Sequence, residues 1–281
     1  MSAITATLPP RRAAGTRPRP RATLLLAIAV LAIALAWAVL PGLFTAQDPI
    51  AGIAAEALQA PSAAHPFGTD ATGRDLLARV IFGAGNSLSG AAIAVLVGLV
   101  VGTAIGVLAG STGGIVEEAL MRVVDVLLAI PGLLLALSVI VLLGFGVTNA
   151  AIAVGVTSIA VFARLARSQV VRVRRSDYVE AAFGSGGSFL AVLWRHVLPN
   201  SLGAVLALAA LQFGSAILQI STLGFLGYGA PPPTPEWGLL IAESRDYVAT
   251  AWWLTTLPGI VVAAVVLSAN RVAAAVREGT A

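Results

Sequence analysis

Few residues in this chain have side chains that could do chemistry. Of 281 residues, 13 are Asp or Glu and 2 are His, no cysteine is present, and all 17 basic residues are arginine. Without cysteine there is no disulfide, thiolate nucleophile or zinc–sulfur site. Without lysine there is no Walker A loop, whose Lys reaches nucleotide phosphates, so any ATP hydrolysis must belong to another polypeptide. A hydrolase inside a membrane needs a nucleophile beside a base, yet His65 lies in a mixed polar stretch and His196 in a short elbow. His65, Asp70 and Asp75 are near neighbours, but their spacing fits no metal loop and helix caps account for both aspartates, so no metal site is expected. Asp125 either pairs with Arg122, three residues away near the inner interface, or relays a proton or cation. Gln212 and Gln219, seven apart on one helix face, either line a translocation path or bond a neighbouring helix.

The most informative stretch is 177–199, DYVEAAFGSGGSFLAVLWRHVLP. Asp177 and Glu180 have capping-box spacing, which predicts a helix from about Val179 with both carboxylates at its positive end. Ala181 and Ala182 continue it, and Gly184, Gly186 and Gly187 then lower helix propensity, so a turn is predicted near Gly186. Ser188 is placed to cap a second helix carrying Phe189, Val192, Leu193 and His196 on one face, until Leu198 and Pro199 lead the chain into the next apolar run. The pattern is a helix-turn-helix bracket at a membrane surface.

The rest of the chain must hold that bracket. It is 58% hydrophobic and 11% charged, where a globular domain carries about a quarter charged residues. The reading is an all-α integral membrane protein with six transmembrane helices. Residues 1–21 form a Pro- and Arg-rich tail, expected to be disordered and held near anionic headgroups. The first transmembrane helix is placed at 22–44; Ala36-Trp37-Ala38 imitates a cleavage site, but the run is long for a cleaved leader. In the extracytoplasmic segment 45–86, Thr72 and Asp75 form a second capping box, predicting a short interfacial helix from about Gly73 to Ile81. The core, 87–272, contains apolar runs at 88–109, 123–144, 147–163, 201–223 and 249–269, with an outer loop at 224–248; residues 273–281 form a second tail.

Within the core, Gly98, Gly102, Gly106 and Gly110 leave one bare helix stripe, suited either to packing within the chain or to a face that slides. Pro131 and Pro258 are expected to kink their helices. In the outer loop Pro231, Pro232, Pro233 and Pro235 predict a stiff extended course, Trp237, Trp252 and Trp253 suit an interfacial belt, and Glu236, Glu243 and Asp246 make it acidic.

Arginine placement sets an orientation. With the amino terminus in the cytoplasm, inner segments hold Arg11, Arg12, Arg17, Arg19, Arg21, Arg122, Arg164, Arg167, Arg172, Arg174, Arg175, Arg195, Arg271 and Arg277, leaving Arg74, Arg79 and Arg245 outside. That asymmetry obeys the positive-inside rule, so both termini and the bracket are expected in the cytoplasm. The basic balance thus has a topological cause, and no nucleic-acid partner is expected.

The bracket resembles the signature of the inner-membrane permeases of ABC importers: Glu-Ala-Ala, three residues, Gly, nine residues, a variable position, one residue, Leu-Pro. It falls on Glu180, Ala181, Ala182, Gly186, His196, Leu198 and Pro199. The run Arg195-His196-Val197-Leu198-Pro199-Asn200 is similar to the dipeptide and oligopeptide subfamily. So are His65-Pro66-Phe67-Gly68-Thr69-Asp70 with Gly73-Arg74-Asp75, Met121-Arg122-Val123-Val124-Asp125, and Pro232-Pro233-Thr234-Pro235 before Trp237-Gly238. The resemblance covers about 22–272 and points to that subfamily's C-type permease. Two departures stand out. Phe183-Gly184-Ser185-Gly186-Gly187-Ser188 is richer in glycine than the subfamily's bend, predicting a looser one, and the carboxyl terminus lacks the usual acidic ending.

The resemblance implies the type I ABC importer permease fold and a coupling helix for the bracket. It further implies a homologous second permease, two ABC ATPase subunits inside, a substrate-binding protein outside and surrounding lipid. ATP and Mg would sit on the ATPase partners, with no cofactor on this chain. Peptide is the implied cargo, with nickel or another small solute as the alternative within the family. A different class, an ion-coupled secondary transporter, would more naturally show inverted repeats and several intramembrane carboxylates. The outer loop either meets the binding protein or is merely structural.

Overall fold

A computed structural model describes residues 21–279. Expectations placed on residues 1–20 and on the side chains of Arg21 and Arg277 lie outside the described residues. The described chain is a bundle of helices: α1 (Arg21–Val39), α2 (Leu76–Thr112), α3 (Gly114–Ala129), α4 (Gly132–Leu143), α5 (Val147–Arg174), α6 (Asp177–Gly184), α7 (Phe189–Val192), α8 (Leu198–Phe225), α9 (Trp237–Glu243) and α10 (Trp253–Gly279). Among the described residues five continuous helices are long and apolar enough to cross a bilayer; α3 and α4 meet at a bend of 99° and bring the number to six if the pair counts as one span. The bend is sharper than a kink. Ile130 is extended, at φ −86 and ψ 129, as a residue before proline must be, and Pro131 then starts α4.

α1 is apolar all round. Ala27 and Ala34 are buried against the bundle, while Leu25, Leu26, Ile33 and Leu35 face outward, as lipid-facing residues do. α2 begins earlier than its apolar run predicts. The Asp75 carboxylate accepts from the Ala78 amide at 2.7 Å, capping a helix that continues unbroken for 37 residues, or about 55 Å. The short interfacial helix expected near 73–81 is therefore the first turns of α2. Thr72 is not a cap partner, because Asp70 takes both its amide and its hydroxyl at 2.8 Å.

α2 and α5 run parallel and make the most extensive contact in the bundle. The glycine stripe is its seam. A Cβ on Gly98 would lie 2.7 Å from Ser158 Cβ, and one on Gly102 would lie 2.5 Å from the Ile159 carbonyl and 2.6 Å from Phe162 Cβ. Only hydrogen fits there. The main core then joins α1, α2, α4, α5, α8, α9 and α10 around Val80, Ala94, Ile140, Val154, Ile217, Leu223 and Trp237.

The end of the bundle opposite the 177–199 bracket is locked by buried polar groups. Trp237 is fully buried, its indole Nε1 donating to the Val80 carbonyl at 2.9 Å, so it does not belong to an interfacial belt. Glu236 is fully buried too: its carboxylate accepts from the amides of Gly238 and Leu239 at 2.9 Å and from the Ser87 hydroxyl at 3.2 Å. Glu243 accepts from Arg79 Nη2 at 2.9 Å, so of the three loop carboxylates only Asp246 is freely exposed. The prolines do not make one stiff extended run, since Thr234 turns back to bond the Pro231 carbonyl at 3.1 Å. Below them His65 Nδ1 lies 2.9 Å from Asp75, and Arg74 Nε donates to Asp70 at 2.6 Å. Burial alone would raise the Asp70 carboxyl, but hydrogen bonds from Arg74 and Thr72 and the Arg74 charge outweigh it and hold it low.

Two outcomes are expected. Gly102→Ala should destabilise the detergent-solubilised protein by roughly 1–3 kcal/mol, whereas Gly203→Ala, which meets nothing within 4 Å, should be neutral or slightly stabilising in the same melts. Burial also pushes the Glu236 carboxyl up, against the donors that pull it down. The folded chain then holds that proton more tightly than the unfolded chain, so this contribution to stability is present on the acid side and is lost as pH rises through the raised value. Glu236→Gln, which cannot ionise, should remove that part of the pH slope of the melting temperature.

Candidate functional site

The bracket hangs from the inner end of α5. Arg174 Nη1 donates to the carbonyls of Gly110 at 2.9 Å and Ser111 at 2.6 Å, occupying acceptors left open at the end of α2. α5 and α2 thus end as one unit, and the chain turns at Arg175 and Ser176 into α6.

α6 starts at Asp177, two residues before the expected position, with Ser176 at the N-cap in extended geometry. The Asp177–Glu180 capping box is not made. Ser176 takes the cap position with no side-chain cap bond, and its hydroxyl turns back to the Val173 carbonyl at 2.5 Å. Asp177 and Glu180 are instead exposed carboxylates in the first turn, where the helix dipole favours them. Val179 is buried with Val170, Val173, Val192 and Val197 in a small core that holds the bracket together. Ala181 faces solvent and Ala182 is half-buried against that core.

Gly186 ends α6 at φ +85, a conformation that favours glycine. The Gly186 amide bonds the Phe183 carbonyl at 2.9 Å and the Gly187 amide bonds the Ala182 carbonyl at 3.1 Å, which is a Schellman closure. The glycine-rich bend is therefore hydrogen-bonded shut, contrary to the looser bend its composition predicts. Ser188 occupies the N-cap of α7 without a side-chain cap bond.

The second arm is not a separate helix. α7, a π-helical stretch Leu193–Val197 and α8 run continuously from Phe189 to Phe225. The Leu198 amide bonds the Leu193 carbonyl, five residues back, just before Pro199 removes a donor. The wider turn absorbs the proline that was expected to redirect the chain. His196 and Leu198 are half-buried there, and Pro199 is exposed.

Sequence reasoning missed the exposed apolar skin of the bracket. Trp194 is 70% exposed and Leu190 63%, with Tyr178, Phe183 and Phe189 also open. Aromatic residues of this kind anchor interfaces when buried by a partner. The available signal was their recurrence at 178, 183, 189 and 194 in a polar stretch.

The residues considered for a pathway fall elsewhere. Asp125 pairs with Arg164 at 2.6 Å, not with Arg122, because α3 runs antiparallel to α5 and brings the two side by side. Arg122 lies 3.5 Å from Glu118, one turn back on its own helix. Gln212 lies 3.5 Å from the Ser158 hydroxyl, and Gln219 lies 3.5 Å from that of Thr157, so both glutamines turn towards α5.

The described residues thus form a helical membrane bundle with a hydrogen-bonded bracket at one end. The solved structures it resembles carry the same fold. The methionine ABC transporter MetNI in an inward-facing conformation matches with a TM-score of 0.54 at 19% identity, covering 72% of this chain and 96% of that one. An amino acid ABC transporter matches with a TM-score of 0.55 at 14% identity, covering 70% and 91%. Residues 102–280 match the binding-protein-dependent transport system inner membrane component family. The chain belongs to that family.

Among its relatives, the dipeptide transport system permease protein DppC of Alkalihalophilus pseudofirmus is 39% identical over 221 residues, 79% of this chain and 73% of the relative. The di/tripeptide transport system permease protein DppC of Pseudomonas aeruginosa is 40% identical over 212 residues, 75% and 70% respectively. The glutathione transport system permease protein GsiD of Pectobacterium atrosepticum is 36% identical over 220 residues, 78% and 73%.

Gly186→Ala should cost about 1 kcal/mol or more, because a Cβ is strained at this φ. Its expected signature is faster hydrogen exchange of the Gly186 and Gly187 amides in the purified protein, with the exchange of α2 and α5 unchanged.

Proposed function

We propose that this chain is one membrane-spanning half of an ATP-driven importer for short peptides. Support for the cargo comes from relatives at 36–40% identity whose names are dipeptide, di/tripeptide and glutathione permeases. The chain hydrolyses nothing and binds no nucleotide. It pairs with a homologous second permease, seats its bracket on two ABC ATPases that carry ATP and Mg, and receives cargo from an extracytoplasmic binding protein. Both termini lie in the cytoplasm, following the arginine asymmetry.

The observation that carries the mechanism is the bracket itself: exposed Asp177 and Glu180, a bend closed at Gly186, and an apolar skin ending in Trp194, joined to α5 through the Arg175–Ser176 turn and continuous with α8. Glu180, Ala181 and Gly186 give the docking arm its charge, close approach and angle. Leu198 and Pro199 lie where the second arm becomes α8. Closure of the ATPase pair turns the bracket, and the bracket turns the two helices that carry it.

Glu180→Lys combined with Gly186→Leu in the complete complex should lower ATP-driven peptide uptake at least tenfold while the complex still assembles in the membrane. Undiminished uptake would sink the proposal.

A further inference from the structure

One face of α8 is polar through the membrane. Gln212, Ser215, Gln219 and Thr222 recur at spacings of three, four and three, a single helical stripe about 15 Å long. The opposite face, with Gly214, Ile217, Ile220, Ser221 and Gly224, is buried in the bundle. Ser215 and Thr222 are exposed. Leu218, next to the stripe and also exposed, is an ordinary lipid-compatible residue.

Polar side chains open to hydrocarbon carry a free-energy cost unless water or a polar partner meets them. Helix-to-helix bonding does not meet these. Each glutamine reaches α5 at 3.5 Å, beyond the roughly 2.7–3.2 Å of ordinary hydrogen bonds. Ser215 makes no side-chain hydrogen bond among the described residues.

A cavity of about 250 Å³ opens beside the stripe, lined by Leu133 and Ala136 of α4, Val154 of α5, and Gln219, Thr222 and Leu223 of α8. It lies about 10 Å inside the outer ends of α5 and α8, counted at 1.5 Å per residue. No ionisable group lines it. The Thr157 hydroxyl gives its proton to the Val154 carbonyl at 2.7 Å and lies 3.5 Å from the Gln219 amide, too far to hold it, so that amide keeps both its N–H donors and its oxygen for a guest. The Thr222 hydroxyl donates to the Leu218 carbonyl at 2.8 Å, which leaves its oxygen lone pairs for a donor.

The geometry points to this cavity as a resting site for a neutral peptide link, on a water-filled face formed by the α8 stripe. Gln219 donates to the peptide carbonyl, Thr222 accepts the peptide N–H, and the Leu133, Ala136 and Val154 wall takes a small apolar side chain. The charged peptide ends stay in water. The site rests on the peptide-import reading and adds to it the groups that recognise cargo within the membrane.

The chain contains no cysteine, so single cysteines report cleanly on it. In vesicles holding the complete complex, Ser215→Cys should react with a water-soluble, membrane-impermeant methanethiosulfonate at least tenfold faster than Ile33→Cys on the lipid-facing side of α1. Alanyl-alanine should slow labelling of Leu133→Cys severalfold. Its analogue N-methylated at the peptide bond should not, and adding Gln219→Leu should abolish the protection. Ser215→Cys labelling no faster than Ile33→Cys overturns the water-filled face, and equal protection by both peptides, or by neither, overturns amide recognition. Uptake of alanyl-alanine by the same vesicles separates the two readings: uptake without protection counts against this site, while fast Ser215→Cys labelling without uptake supports the water-filled face and counts against peptide as cargo.

Discussion

The contact between α2 and α5 is the constraint on which everything else depends. Gly98 and Gly102 let α5 approach until any side chain at those positions would collide with its backbone or its Cβ atoms. Without a strong hydrophobic drive between helices in lipid, such close packing is what holds a membrane bundle together. Because the two helices run parallel, the contact continues inward to Gly110, where Arg174 ties the helix ends together. The bracket leaves α5 only two residues later. The bracket is therefore anchored to α2 and α5 together, not to α5 alone.

The outer end solves a different problem. The segment before α2 and the loop around α9 contain several charges close to the apolar bundle, and three of the carboxylates lie beside a basic side chain: Asp75 with His65, Asp70 with Arg74, Glu243 with Arg79. Glu236 has no cation within salt-bridge distance and relies on three donors. A buried carboxylate satisfied by donors alone fixes geometry firmly, because losing any donor leaves charge uncompensated. These bonds tie α2 to the α9 segment at that end of the bundle.

Local chemistry was legible in the sequence, and tertiary partnership was not. Gly186 could be placed because few other residues accept its backbone angle, and Asp75 because a cap needs only its own helix. The glycine stripe and the run lengths gave the bundle. By contrast, Thr72 and Asp177 read as cap residues, but Asp70 engages Thr72 while Asp75 caps α2, and Ser176 takes the N-cap of α6. For Asp125 the sequence leaves a pair with Arg122 or a relay, whereas the antiparallel course of α3 supplies Arg164. Trp237 and Glu236 read as exposed loop residues because their burial depends on α2, which lies about 150 residues earlier. The π-helical turn before Pro199 has no composition of its own; it arises because an otherwise continuous helix must accommodate a residue without an amide donor.

The central claim is that this chain supplies no driving force of its own. The most direct test is transport in liposomes containing this chain, its second permease and the binding protein, with an imposed proton or sodium gradient and with or without the ATPase subunits. The account predicts peptide accumulation only when ATPases and ATP are both present, whatever the gradient. Accumulation driven by the ion gradient in their absence would contradict it.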